Sequence, residues 1–521
     1  MFNILSFLKN HRLLLAVLLL GLVVRVIALI QTPVISDDGP LYLHQARAIY
    51  IGDWHSARFC GFPYLSLYPF LVIPVFALIG DWILSGQAIC FILGMLTLVP
   101  VYLICRSFFD EKISALTTAA FAINPVLVEI SIDVTKDITA WFFVSWGLYF
   151  FIYSHKKNYF PLLSSIFFLL AMLARIETAI FILSSYSYIV FFHKENKLRT
   201  IFYFSIPLIC IFGLSVPGFI AFNGLNVDLF SGYIYPKIRI YLEGLKNYEF
   251  INSGLKRLMQ SDVLQEYDYK FVPLFLGQVR ETLWFIPIGV ILKKIAQAFF
   301  IPFLFITLIG MVNLKENIRN KPFYAYFAIT TVLSFLAIYF FYLLIWAISK
   351  RYNMIFLFTT LPFIGYGITR LLYWFRYNTA TKAVGLTLLA LIFTVTLVKD
   401  LKPERHDKLF LKEIGQYIAA MEGSDNEIPI ATSKGILLFY ANLDKKNAPC
   451  PRPVVDYSEF ITMDKQKIKD VMKEHGIKYF IWEEDAWKKA PPFRRAEGWE
   501  PVKTWKTKKS GRYRLYRFHS Q

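Results

Sequence analysis

Charge is scarce in this sequence: Asp, Glu, Lys and Arg make up 18% of 521 residues, where a soluble domain carries about a quarter. Hydrophobic residues reach 56% and mean hydropathy is +0.47, which excludes an ordinary soluble globular chain. Cysteine is scarce too. The five present (Cys60, Cys90, Cys105, Cys210 and Cys450) make no metal-ligand spacing. There is no Walker motif and no dinucleotide fingerprint. Nor is there a repeat of fixed period, which an inverted-repeat transporter would show. The net charge of +19 invites a nucleic-acid partner, but its placement argues against one. The excess sits in short loops between apolar runs and in a C-terminal run that includes Lys506, Lys508, Lys509, Arg512, Arg514 and Arg517. Loop charge sets membrane orientation.

What the chain has is apolar length. Runs of about 20 residues recur over the first 400 positions, each long enough to cross roughly 30 Å of hydrocarbon. Phe counts 50 and Tyr 31, which suits lipid-facing surface and interfacial belts. The expected fold is an all-α polytopic membrane protein with a small C-terminal α/β domain. The first run, "LLLAVLLLGLVVRVIALI", is too long for the apolar region of a signal peptide and has no small-residue cleavage site after it. It reads as a retained span.

Lys9 and Arg12 put the N-terminus in the cytoplasm. Alternation of basic and acidic loops then gives about eleven spans. The stretch 160–192, with "LARIE" at its middle, is too long for one span and has basic loops on both sides. It reads as two short spans meeting at Arg175 and Glu177 on the outer side. The eighth span is expected near 295–314 and the tenth near 354–372. The segments 67–80 and 284–292 are apolar but short, and fit helices lying at the outer interface. Residues 224–283 read as a long polar outer loop.

The membrane domain is expected over 1–398 and the extracytoplasmic α/β domain over 399–521. In the latter, "EIPIATS" and "IKYFIWEE" read as strands, "KQKIKDVMKEHG" as an amphipathic helix with a glycine cap, and "WEPVKTWKTKKSGRYRLYRF" as a hairpin. Cys60 and Cys450 share the outer side in this topology, where they could pair.

The outer loops collect the unusual charges. Asp37 and Asp38 lie in the first loop, and Glu129, Asp133, Lys136 and Asp137 in the second. Arg175 and Glu177 lie at the short-span turn, with Lys350, Arg351 and Tyr352 before the tenth span and Arg25 in the outer half of the first. Each has a plain reading. The aspartates suit a solvated loop or a helix N-terminus, the cations suit interfacial anchoring, and the Arg175–Glu177 pair would ease a buried turn. As a set they suit a site with divided labour, because ionisable groups at membrane depth usually face a cavity. Carboxylates can orient or deprotonate a hydroxyl, or hold a cation, and cations can hold a phosphate.

The stretch "SDDGPLYLHQARAIYIGDW" resembles the first-outer-loop motif of integral-membrane glycosyltransferases of the GT-C superfamily, in the branch of protein O-mannosyltransferases and lipid A aminoarabinose transferases. The resemblance continues, in order, through "LYPFLVIPVFALIG", "ILSGQAICFILGMLTLVPVYLICRSFF", "VTKDITAWFF", "LAMLARIETAIF" and "SKRYNMIFLFTTLP". It covers about the first 380 residues and departs from the family where Asp38 replaces a Glu. It implies a polyprenyl-phosphate sugar donor and a single inverting displacement onto a lipid, glycan or protein acceptor, at a bacterial inner membrane. It also implies catalytic roles for Asp37 and Asp137. Asp38, Lys350, Arg351, Tyr352 and Arg175 would bind substrate, with Arg351 at the lipid phosphate. Asp37 and Asp137 could also share a divalent cation, the only cofactor that comes into view. The rival readings are a transporter or flippase of a lipid-linked or polar solute, a lipid-linked glycan ligase or polymerase, and a membrane scaffold.

Overall fold

The computed structural model describes residues 12–60, 65–192, 196–223, 235–261, 271–312, 314, 318–319, 322–375, 379–423, 427–445, 450–452, 463–484, 498–507 and 511–519; side chains are described except at 211–223, 235–245 and 465. Lys9, Lys508 and Lys509 lie outside the described residues, as do parts of the 224–283 segment. Internal contacts divide the chain into two units. The first is Met1–Ile27, Cys90–Ile132 and Lys136–Leu401; the second is Ala28–Ile89, Asp133–Thr135 and Lys402–Gln521. Residues 28–89 group with the tail in the second unit.

Among the described residues four helices are long and apolar enough to cross a membrane: Arg12–Gln31, Trp82–Phe108, Phe323–Ile345 and Thr379–Asp400. They leave large apolar side chains such as Leu15, Leu19, Leu336, Leu388 and Leu391 exposed. Lipid, which has no hydrogen-bond partners to offer, is the solvent such surfaces suit. The chain is a multi-pass membrane protein. The "LARIE" turn is present as expected: Phe160–Ala174 ends at Arg175, a short 3-10 turn covers Ile176–Thr178, and Ala179–Phe191 returns.

Several expected spans are broken. The third is two helices, Glu111–Ala122 and Pro125–Ile132, bent by 58°. Pro125 cannot continue the first helix because it has no N–H and clashes with the preceding turn. The eighth is also divided. Ile286–Phe299 runs through the segment expected to lie apart at the interface, and Ile301–Met311 follows a break at Phe300, whose φ is +60°. The tenth is Met354–Thr359 followed by Leu361–Trp374, with Pro362 in the first turn of the second helix. The segment 224–283, expected as one polar loop, contains two helices, Tyr235–Met259 and Phe271–Glu281. Their apolar residues recur at helical spacing, a period the polar composition conceals.

A break inside a membrane frees backbone groups that lipid cannot satisfy. Asn124 answers two breaks at once. Its side-chain oxygen accepts from the amides of Val126 and Leu127, both at 3.1 Å, and caps the Pro125–Ile132 helix. Its amide donates to the carbonyls of Ala298 at 3.0 Å and Phe299 at 3.3 Å, which the Phe300 break frees. Elsewhere small residues bring backbones together. A Cβ on Gly310 would lie 1.8 Å from the Phe363 carbonyl oxygen, and one on Gly367 1.9 Å from that of Ile306. The Ile301–Met311 and Leu361–Trp374 helices therefore cross in backbone contact.

In the second unit four strands form a sheet in the order β1-β2-β4-β3: β1 is Ile430–Ala431, β2 Tyr479–Glu483, β3 Trp499–Lys506 and β4 Arg512–Phe518. The β1–β2 pair is parallel and the others antiparallel. Successive side chains of a strand point to opposite faces, so β2 feeds two cores. Tyr479 and Ile481 pack with Leu411, Ile414, Leu437 and, from the first outer loop, Val34. Phe480 and Trp482 pack with Ile468, Met472 and Trp499. The helix Lys465–Glu474 ends before Gly476, whose φ of +58° is the left-handed cap conformation. The Gly39–Tyr50, Trp54–Phe59 and Leu67–Ile79 helices lie between the Arg12–Gln31 and Trp82–Phe108 helices in the chain. A disulfide between Cys60 and Cys450 ties that stretch to the tail.

Substituting Asn124→Leu strands two amides and two carbonyls, and should lower stability by about 2–4 kcal/mol. Thermal unfolding of the detergent-purified protein checks this; an unchanged midpoint would contradict it. Acidification offers a second test. Burial, reinforced by Arg47 and opposed by Asp53, pushes the His44 pKa from 6.5 down to about 4. Unfolded chains take up this proton near 6.5 and the folded one does not, so stability falls as pH drops from about 6.5 to 4. Glu422 has a carboxyl held below its usual range, chiefly by the Tyr479 hydroxyl and also by Lys478 and Arg517. Its contribution is present above the ordinary carboxylate value and is lost as pH falls through the lowered one. His44→Gln should remove the loss between pH 6.5 and 5 and leave the more acidic part, as melting midpoints against pH would show.

Candidate functional site

Asp137 opens the Asp137–Ile152 helix, where a carboxylate is favoured by the unpaired amides and the dipole. It is 4% exposed. Arg175 stands where the Phe160–Ala174 helix ends, with extended backbone (φ −143°, ψ 117°). That turn lets its guanidinium pair with Oδ1 of Asp137 and reach Oε1 of Glu177 at 3.4 Å. The other Asp137 oxygen faces Nη1 of Arg351 at 3.5 Å. The Arg175 guanidinium stacks on the Tyr352 ring, 4.5 Å from its centroid, and Tyr352 stacks on Phe341 at 5.0 Å. Lys350 pairs with Glu129 at 2.5 Å.

Part of this cluster lines a cavity of about 240 Å³. Arg175, Glu177 and Tyr352 supply its polar lining; Trp141, Ile176, Ile180, Ile338, Phe341 and Ile355 supply apolar wall. Arg175 is 5% exposed and Arg351 25%. Both guanidiniums are paired with Asp137, and Arg351 is the more exposed of the two. An apolar cavity with a charged and aromatic side suits an amphiphile.

The second unit carries a second acidic cluster. Val34, Ile35 and Ser36 are buried, and Asp37 turns out to 70% side-chain exposure. Its carboxylate pairs with Lys408 at 2.5 Å. Asp38 holds the N-cap position of the Gly39–Tyr50 helix, and its carbonyl accepts from the amides of Leu41 at 3.1 Å and Tyr42 at 3.3 Å. Asp133 is 3% exposed; it accepts from the amides of Ser36 at 2.9 Å and Val134 at 2.8 Å, and from the Arg405 guanidinium at 2.8 Å.

Of the residues singled out from the sequence, Asp137, Arg175, Arg351 and Tyr352 come together in the first unit, with Lys350 beside them in the chain but bound to Glu129. Asp37 and Asp38 belong to the second. Arg25 does not snorkel. It is 1% exposed and donates to the carbonyls of Gly21 at 3.2 Å and Ala122 at 2.8 Å, the latter at the end of a broken span. The residues missed are Arg405, Lys408 and Lys412, together with a role for Asp133. Nothing local marks the three cations, because their partners lie hundreds of residues away. Among the described residues no group of three or more His, Cys, Asp or Glu side chains gathers to hold a metal. The donor set does not fit a dedicated cation site, since Asp37 is held by Lys408 and Asp137 by Arg175 and Arg351.

Residues 66–218 match a protein family described as dolichyl-phosphate-mannose-protein mannosyltransferase. No curated protein matches the chain by sequence. Among solved structures, ArnT from Cupriavidus metallidurans bound to undecaprenyl phosphate aligns with a TM-score of 0.56 at 14% identity, over 96% of this chain and 97% of that one. The Archaeoglobus fulgidus oligosaccharyltransferase, in a complex with Zn and sulfate, aligns with a TM-score of 0.54 at 12% identity, over 89% of this chain and 68% of that one. The archaeal oligosaccharyltransferase AglB, in complex with an inhibitory peptide and a dolichol-phosphate, gives 0.51 at 12% identity, over 91% and 70%. These likenesses are of fold alone: helical, with a small C-terminal sheet.

Arg175 and Asp137 should show strong coupling. Arg175→Met and Asp137→Asn each strand a buried charge, whereas the double variant removes both. A double-mutant cycle on thermal stability is expected to give a coupling of about 1–3 kcal/mol; strict additivity would contradict the pairing.

Proposed function

We propose that this chain is a membrane glycosyltransferase that moves a sugar from a polyprenyl-phosphate donor to an acceptor hydroxyl or phosphate on the outer side of the membrane. The observation that carries the reading is the Asp137–Arg175–Arg351 cluster, whose Arg175 lines an apolar-walled cavity of about 240 Å³ with Glu177 and Tyr352, in a chain with the fold of proteins whose structures hold undecaprenyl phosphate or dolichol-phosphate. A lipid phosphate needs both surfaces: cations for its head and apolar wall for the first isoprene units.

The reaction is one inverting displacement. The acceptor oxygen forms a bond to the anomeric carbon as the bond from that carbon to the phosphate oxygen breaks. The polyprenyl phosphate leaves with the electron pair. Asp37, exposed on a fixed loop, accepts the acceptor's proton or orients its hydroxyl. Arg351, with Lys350 and the Tyr352 hydroxyl as neighbours in the chain, stabilises charge gathering on the departing phosphate. Asp137 and Arg175 hold Arg351 and Tyr352 in place. Asp38 fixes the start of the helix after Asp37. No step passes through a metal.

The membrane is a bacterial inner membrane, with the N-terminus cytoplasmic and residues 399–521 an extracytoplasmic α/β domain. The disulfide between Cys60 and Cys450 supports that orientation, since such bonds persist in oxidising compartments. Acceptor classes compatible with this side are lipid, glycan and protein.

Cells carrying Asp37→Asn or Arg351→Ala in place of the native chain should accumulate a polyprenyl-phosphate sugar and lose one glycoconjugate or lipid A modification. Transfer is expected to fall by about 10²–10⁴-fold for Asp37→Asn and about 10²-fold for Arg351→Ala. Mass spectrometry of extracted lipids and glycans is the measurement. Identical profiles in native and variant cells would defeat the transferase reading.

A further inference from the structure

We propose that Lys408 is the positioning residue for Asp37, lent to the first outer loop by the segment that opens the C-terminal domain. The inference deepens the function proposed above and rests on Asp37 acting in the transfer.

The loop before Asp37 is fixed along its length. Lys412 donates to the Pro33 carbonyl at 3.1 Å, and Arg405 to that of Val34 at 3.2 Å. The Ser36 amide donates to Asp133 at 2.9 Å, and its hydroxyl to the Val134 carbonyl at 3.4 Å. Two of these four anchors are on Ser36, the residue next to Asp37. Beyond them the carboxylate stands out at 70% exposure, and among the described residues it pairs with Lys408 alone. A side chain so exposed, held by a single ion pair at 2.5 Å, takes its direction from that pair.

Lys408 is itself delivered by built-in strain. Arg405 has a φ of +57°, the left-handed region that a side chain seldom occupies. Its guanidinium bridges Val34 and the buried Asp133, and these bonds hold that conformation. The Arg405 carbonyl accepts from the Lys408 amide at 2.9 Å, closing the 3-10 turn His406–Lys408 and setting the lysine opposite Asp37. The strain is thus placed where it aims a cation. A base needs its carboxylate held in one direction before the acceptor arrives, and a misplacement of about 1 Å costs on the order of 10²-fold in rate.

The test uses full-length protein in membrane vesicles, with the lipid extract of Asp37→Asn cells as donor. Lys408→Met is expected to lower kcat by about 10–100-fold with KM changed less than about twofold. Lys408→Arg should stay within about fivefold of the native rate, because it restores the cation. Adding Lys408→Met to Asp37→Asn should cost nothing further, since the two act as a unit. Formation of the Cys60–Cys450 disulfide on non-reducing gels reports folding, and Lys408→Gln replaces the Met variant if that one misfolds.

Native-like kcat in Lys408→Met beside an inactive Asp37→Asn overturns the assignment and leaves the transferase reading standing. Equal loss in Lys408→Met and Lys408→Arg also overturns it, because a cation would then not be what matters. If Asp37→Asn cells accumulate no lipid-linked sugar, the transferase reading falls and takes this assignment with it.

Discussion

The first unit is organised around one carboxylate. Asp137 begins a membrane helix, and two arginines from distant parts of the chain converge on it. Charge in an apolar interior is tolerated only when paired. The pair therefore fixes where the Phe160–Ala174 helix must stop, which way the turn at Arg175 faces, and where Tyr352 can stack. The cavity beside them inherits its polar side from this requirement. Its apolar walls come from the same helices, and need nothing more than the hydrophobicity that puts them in a membrane.

The same rule accounts for the broken spans. A helix that ends inside lipid needs a partner for each freed backbone group. Asn124 and Arg25 provide such partners for neighbouring breaks. Breaks that would be costly one at a time become acceptable in sets, because one polar side chain can serve two of them.

Local features of the sequence were readable. Apolar length marked the long helices, and "LARIE" between two basic loops marked the paired short spans, since charge and length there admit few solutions. Asp37, Asp137, Arg175 and Arg351 stood out because charged residues are rare around them. The side that Cys60 and Cys450 share made their pairing readable, but long-range ion pairing was not. Asp133 looks like any loop acid until Arg405 arrives from 272 positions away, and Lys408 like any tail lysine until Asp37 is opposite it. The helices within 224–283 were hidden for a different reason: their period is helical but their composition is polar. Broken spans escaped because hydropathy records how apolar a stretch is and says little about where its axis turns.

The ion pair between Asp37 and Lys408 also constrains the order in which the protein can be made. Its two ends are 371 residues apart, and the disulfide joining the same loop to the tail has a separation of 390. At roughly 5–20 residues per second of synthesis, the second partner is made about 20–75 s after the first. During that interval the loop bearing Asp37 has neither its lysine nor its disulfide, and Cys60 is an open thiol. Ribosome speed and the local thiol oxidant therefore decide how long this nascent chain stays without its ion pair and its disulfide.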